Sequence, residues 1–259
     1  MPVRLNEGFP VVTAEVAGRA VTLLLDTGAH GMLLLPDAVA RLRLQPDPWQ
    51  TTRLLGTGGA RDVPHALLPG LTLGGAPLPG GSVPMAALPI ALTTEPPLAG
   101  LLGATMLAAY DVDLDVQAGR LTLLAPTGCA PTDGTAIALQ PIPGNDMALT
   151  VLANGVPLLA LPDTGTRITL LSNQAAKRLG LNAPVSATTA RGLDGQRVPL
   201  RHLPLRSLQV GADVMRDMPV SVTGLQLAPA EMSLGLDWFR QHRVWLSYAA
   251  RQIVVRPVQ

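Results

Sequence analysis

The chain has 259 residues, enough for one large domain or two of about 130. Hydrophobic residues make up 47% and charged residues 14%, which excludes an intrinsically disordered chain. The net charge of +1, from 19 Lys+Arg against 18 Asp+Glu, leaves no basic surplus to neutralise phosphates, so no nucleic-acid partner is expected. Gly (26) and Pro (25) scattered among Val, Leu and Thr read as turns between many short strands, hence an all-β chain with short helices.

In chain order, residues 11–16 alternate like a strand, Ala17-Gly18 marks a turn, and residues 21–25 are an apolar strand buried on both faces. Apolar residues at helical spacing follow over 36–42, with Pro36 suited to the first turn. Residues 63–94 carry no formal charge, and mean hydropathy is +0.31, so a membrane span has to be weighed. Six prolines and several glycines interrupt that stretch, and no membrane span is expected. A short helix over 103–109 and strand-like sequence over 112–124 complete the first half. Alternating Asp and aliphatic residues from Asp111 predict a half-exposed strand there, not a calcium loop: Val116 and Thr122 stand where such a loop needs Gly and Glu.

Residues 125–135, rich in Pro and Gly, form a linker that holds Cys129. This single cysteine cannot form an intrachain disulfide and is expected to be inert. The pattern then repeats: strand 148–152, turn Asn154-Gly155, strand 158–161, helix 173–179 with Ser172 or Asn173 as its cap, short helix 235–241, and strands over 244–255. The units are 1–128 and 135–259, joined by 129–134. No apolar leader is seen at Met1–Glu7, so a cytoplasmic location is the default, or a periplasmic or secreted one if a leader has been removed.

The repeat is explicit in the residues. Residues 18–29 (GRAVTLLLDTGA) align with 155–166 (GVPLLALPDTGT) at an offset of 137, which continues through Leu34/Leu171, Ala38/Ala175 and Arg41/Arg178. A second block pairs 101–107 with 233–239 at an offset of 132. Asp-Thr-Gly thus occurs at 26–28 and at 163–165, where composition predicts about 0.1 occurrences by chance. A two-fold repeat brings two such strand ends together. Carboxylates a few Å apart resist double ionisation and share a proton; the charged one can act as base on a water while the protonated one donates to a carbonyl.

Two Asp-Thr-Gly triplets, each followed by an apolar-apolar-Gly block, resemble the aspartic peptidases of the pepsin and retropepsin type. The resemblance is nearest to retropepsin-like bacterial proteases, with both halves fused in one chain as in pepsins. It implies a bilobal acid-protease fold with pseudo-two-fold symmetry and an aspartic endopeptidase using Asp26 and Asp163. It also implies a peptide or protein substrate, no cofactor, no metal, and no obligate catalytic dimer. Thr27, Gly28, Ala29, Thr164, Gly165 and Thr166 would support the two loops, the threonines bonding across the axis. The Leu-Leu-Gly103 and Leu-Gly235 blocks would cross behind them. Gly56, Thr57, Gly58 and Gly59 resemble a flap tip, with Gly192, Leu193, Asp194 and Gly195 as its counterpart; neither has the tyrosine of pepsin flaps.

Two departures yield expectations of their own. Ala29 follows the first triplet and Thr166 the second, so the Thr166 hydroxyl should make Asp163 the more readily ionised aspartate. Pro162 removes a backbone donor before Asp163 and is expected to distort the second loop. The alternative function is a catalytically weak or inactive peptide-binding module on the same fold.

Overall fold

The computed structural model describes residues 1–56, 59–88, 90, 92–127, 129–143, 146–181, 188–191, 197–224, 227 and 229–258. In the first half, the seven-stranded sheet runs in the order Leu33–Leu34, Leu98–Leu102, Arg19–Leu25, Phe9–Val16, Leu71–Leu73, Ala76–Leu78, with Arg4–Asn6 beside Phe9–Val16. The second half builds an eight-stranded sheet on the same plan, including Leu170–Ser172, Met232–Leu234, Val156–Pro162 and Asp146–Ala153. The turns expected at 17–18 and 154–155 have positive φ at both central residues (50° and 72°; 49° and 80°), the two-residue hairpin geometry that matches strand twist.

The helices fall where apolar spacing places them. Pro36–Leu42 buries Ala38, Val39 and Leu42, and Asn173–Arg178 is capped by Ser172, whose hydroxyl accepts from the Ala175 N–H. The short helices are Ala104–Leu107 and Leu236–Phe239. The uncharged 63–94 stretch is mostly strands and turns, and no helix among the described residues is long and apolar enough to cross a membrane.

Each half contains one crossing. Leu98–Leu102 lies parallel to Arg19–Leu25 and antiparallel to Leu33–Leu34. Met232–Leu234 does the same between Val156–Pro162 and Leu170–Ser172. The glycine that closes each block packs against the loop backbone: a Cβ at Gly103 would overlap the Ala29 and Gly31 carbonyls, and one at Gly235 the Ile168 carbonyl.

A five-stranded sheet joins the halves: Arg120–Leu124 and Asp111–Asp115 from the first, then His242–Ser247, Gln252–Pro257 and Thr135–Ala138 from the second. Here the half-exposed strand expected from Asp111 is corrected. Asp111 through Leu114 are buried, because the second half covers the aspartate face with arginines. Asp113 accepts from Arg243 (Nε 2.9 Å, Nη2 2.5 Å) and from Arg256 Nη2 at 3.0 Å, and Arg256 also reaches Asp133. Asp113→Asn should destabilise the protein by about 2 kcal/mol, measured by denaturant midpoint. That is less than for a fully buried pair, because Arg256 keeps Asp133 and Arg243 is part-exposed. An unchanged midpoint would contradict this account.

A three-stranded sheet, Gln45–Gly56, Gly59–Leu68 and Gly81–Pro84, stands apart in the first half. Its strands are tied by a chain of polar side chains. Thr52 Oγ1 lies 2.7 Å from His65 Nε2, His65 Nδ1 lies 2.8 Å from Ser82 Oγ, and the Ser82 hydroxyl donates to Asp47 at 2.6 Å. His65 is therefore a buried structural histidine. Cys129 is exposed and free.

Candidate active site

Each Asp-Thr-Gly loop continues the buried apolar strand that precedes it, and both are held alike. The Asp26 N–H donates to the Leu102 carbonyl (3.0 Å) and the Asp163 N–H to Leu234 (2.9 Å). Beyond the triplets, the Ala104 N–H donates to Ala29 and the Leu236 N–H to Thr166, both at 2.8 Å. The distortion expected from Pro162 does not occur. Its missing N–H leaves these bonds equivalent in the two halves, and its carbonyl is put to use by the opposite loop.

That use is a reciprocal lock between the threonines. The Thr27 N–H donates to Thr164 Oγ1 (3.0 Å) and the Thr164 N–H to Thr27 Oγ1 (3.1 Å). Each hydroxyl then donates to a carbonyl of the other strand, Thr27 to Pro162 (2.9 Å) and Thr164 to Leu25 (2.8 Å). Thr164 is fully buried and Thr27 nearly so, which makes these four bonds a dry seam between the halves.

The lock sets the carboxyls face to face. A Cβ at Gly28 would overlap the Asp163 carboxyl, and one at Gly165 the Asp26 carboxyl, so each aspartate occupies space that only glycine in the opposite loop leaves free. Burial, and next the adjacent Asp163 charge, push Asp26 from its ordinary 3.8 up to about 8, against the lowering effect of the Ala29 and Gly28 N–H groups.

Hydrogen-bond supply differs between the two. Asp26 Oδ1 accepts only backbone donors, Gly28 N–H at 3.1 Å and Ala29 N–H at 3.0 Å. Asp163 accepts the Gly165 N–H at 2.9 Å on Oδ1, and on Oδ2 the hydroxyls of Thr166 (2.9 Å) and Ser233 (2.7 Å). Two residues at this site were not among the expected site residues. Ser233 sits in the apolar-apolar-Gly block, and the only sign of it was a polar residue where the first half has Leu101. Asp146, the repeat equivalent of Phe9, lies 3.6 Å from His30 Nδ1. Burial raises its pKa, His30 lowers it and the Asp163 charge raises it, so a third carboxyl stands within electrostatic reach of the pair. The repeat places Arg167 opposite His30, and there Arg167 stacks over Phe9 at 5.2 Å.

The residues that resemble flaps are brought together only in part. Gly56 pairs with Gly59 at the end of the Gln45–Gly56/Gly59–Leu68 hairpin; Thr57 and Gly58 lie outside the described residues. Leu54 and Val63 of this hairpin share an apolar cluster with Leu24, Leu101 and Ala29, which ties the hairpin to the first loop. On the other side, Thr189–Arg191 pairs with Arg197–Val210, and Gly192, Leu193, Asp194 and Gly195 lie outside the described residues.

A bilobal β protein whose halves meet at two Asp-Thr-Gly loops has the fold of the aspartic proteases. In keeping with this, the aspartyl protease family profile matches residues 12–106 and 149–238, and the chain belongs to that family. The aspartic proteinase from Irpex lacteus superposes over 100% of this chain and 96% of its own, with a TM-score of 0.58 and 14% identity. Protein DDI1 homolog 1 of Homo sapiens is 28% identical over 127 residues, 46% of this chain and 31% of the relative. The Bos taurus protein of the same name is 30% identical over 105 residues, 39% of this chain and 26% of the relative. The matched stretch thus spans under a third of either relative.

Proposed function

We propose that the chain is an aspartic endopeptidase in which Asp26 and Asp163 act together on a water and a peptide carbonyl. The observation that carries the reading is the pair of facing carboxyls, Asp26 buried and Asp163 half-buried, each occupying the space that the opposite loop's glycine leaves free. Ionised Asp163 takes a proton from the water as its oxygen bonds to the scissile carbonyl carbon. Asp26 gives its proton to the carbonyl oxygen, and a tetrahedral diol results. Return of a proton to the nitrogen and cleavage of the C–N bond release acid and amine and restore the pair. Both aspartates come from one chain, residues 1–128 supplying one and 135–259 the other, so catalysis requires no dimer. The Gln45–Gly56/Gly59–Leu68 hairpin serves as a flap over an extended peptide or protein substrate.

A peptide-binding module on the same fold is the weaker reading, because binding alone gives no reason to set a buried carboxyl against a second one at the cost of keeping it protonated. The test is a peptide-library digest over a pH series, with and without a statine-type inhibitor. Cleavage blocked by the inhibitor is expected. Because Asp26 must hold its proton, activity should persist to near-neutral pH and fall as pH passes about 8. Absence of cleavage at every pH would overturn the reading.

A further inference from the structure

We infer that Ser233 is a positioning residue which, with Thr166, fixes the division of labour in the pair, Asp163 ionised and Asp26 carrying the proton. This rests on the peptidase reading and names what makes a near-symmetric site asymmetric. By backbone, the two loops are equivalent to within 0.1 Å in the bonds that hold them to the crossing strands. By side chain they are not. Asp163 Oδ2 faces two hydroxyl donors, at 2.9 and 2.7 Å, whereas the repeat equivalents of those donors are Ala29 and Leu101, which have none.

Ser233 is 1% exposed, and its hydroxyl donates to Asp163 Oδ2 at 2.7 Å. Hydrogen bonds that donate to a carboxylate stabilise its ionised form, most of all in a buried site. A proton placed on Asp163 Oδ2 would meet two hydroxyls already directed at that oxygen. On Asp26 it meets only the partner carboxylate, which accepts it.

The other titratable groups around the pair do not supply this order. Asp146, at the start of Asp146–Ala153, opposes ionisation near Asp163, and His30 beside it is exposed. Tyr248, after His242–Ser247, is held neutral by burial and by the Asp146 and Asp26 charges. Bias toward ionised Asp163 therefore comes from the two hydroxyls.

The test compares wild type, Ser233→Ala and Ser233→Thr by ¹³C-carboxyl NMR of labelled aspartates over a pH series, alongside kcat/KM against pH. In Ser233→Ala the pair should lose its first proton about one pH unit higher, one charge-assisted hydrogen bond having gone. The acid limb of kcat/KM should move with it, while KM on the plateau stays within about twofold. Ser233→Thr, which keeps the hydroxyl, should restore the wild-type curve and excludes loss of packing as the cause. A first ionisation unmoved in Ser233→Ala, or moved equally in Ser233→Thr, would overturn the proposal. The NMR titration needs no turnover: a chain that cleaves nothing removes the peptidase reading, and the Ser233 role is still decided by the carboxyl signals.

Discussion

Asp26→Asn is expected to lower kcat/KM for peptide cleavage by about 10³-fold or more while leaving the protein folded and, above pH 4, more heat-stable than wild type. Loss of activity follows because an amide cannot pass a proton to the substrate carbonyl. The gain in stability follows from linkage. In the native state Asp26 holds its proton up to about 8, and in the unfolded chain it releases it near 3.8. A group whose pKa rises on folding contributes its full stability below the unfolded value, and that contribution is lost as pH climbs through the native one. Wild type should therefore lose stability between about pH 4 and 8 through Asp26, and the asparagine variant should not. Thermal melts of both proteins at pH 4, 6 and 8 check this: the difference in Tm should be near zero at pH 4 and widen toward pH 8. Undiminished cleavage in the variant would refute the role given to Asp26, and a Tm difference constant with pH would refute its burial as the cause.

Thr164→Val should unfold at markedly lower denaturant, with a loss of about 2–4 kcal/mol, and should lose most of its activity. Valine matches threonine in shape, so little packing is lost. It leaves the Thr27 N–H and the Leu25 carbonyl buried without partners, each costing about 1–3 kcal/mol. For a chain of this size the corresponding fall in Tm is about 5–10 °C. Activity falls because the same bonds hold the carboxyls against the opposite glycines, and a misplacement of about 1 Å can cost on the order of a hundredfold in rate. Thr27→Val should behave alike, since the bonds it removes are the mirror set, and Thr164→Ser should recover most of both properties. Denaturant curves and initial rates on the same samples decide the matter. A stable Thr164→Val with wild-type kcat would show that the threonine lock is dispensable.

Together these expectations separate the symmetric features of the site from the asymmetric ones. The lock and the glycine seats are two-fold symmetric and make the pair possible. The hydroxyls of Thr166 and Ser233 break the symmetry, since both donate to Asp163 and neither has a counterpart on Asp26. Two positions at which the repeats differ suffice for this. Ala29 and Leu101 on one side, and Thr166 and Ser233 on the other, are the substitutions that matter. Asp146 and Phe9 diverge in the same way, placing a carboxyl at one end of the pair and an aromatic ring under Arg167 at the other.

Much of this was legible in the residue string because it is encoded locally. The 137-residue offset, the Asp-Thr-Gly triplets, the turns at 17–18 and 154–155, and the helices at Pro36–Leu42 and Asn173–Arg178 depend on short-range spacing and turn chemistry. What sequence reading placed wrongly depended on long-range partners. Asp111–Asp115 has the alternation of a half-exposed strand, and only the pairing with His242–Ser247 and the arrival of Arg243 and Arg256 on Asp113, more than 120 residues away, cover it. Pro162 looked disruptive because its own N–H is missing, yet the strand it ends is held by neighbours that do not use that group.

The sequence by itself therefore determined the duplicated β architecture and singled out Asp26 and Asp163 as the candidate pair, because apolar period, turn residues and a repeated triplet are properties of adjacent positions. Only the tertiary structure decided that Ser233 adds a second hydroxyl to the one expected from Thr166 on Asp163, and that Asp146 stands near the pair. Those facts rest on hydrogen bonds and charges between residues about 70 and more positions apart, whose strength comes from burial, and burial is created only when the two halves close on each other.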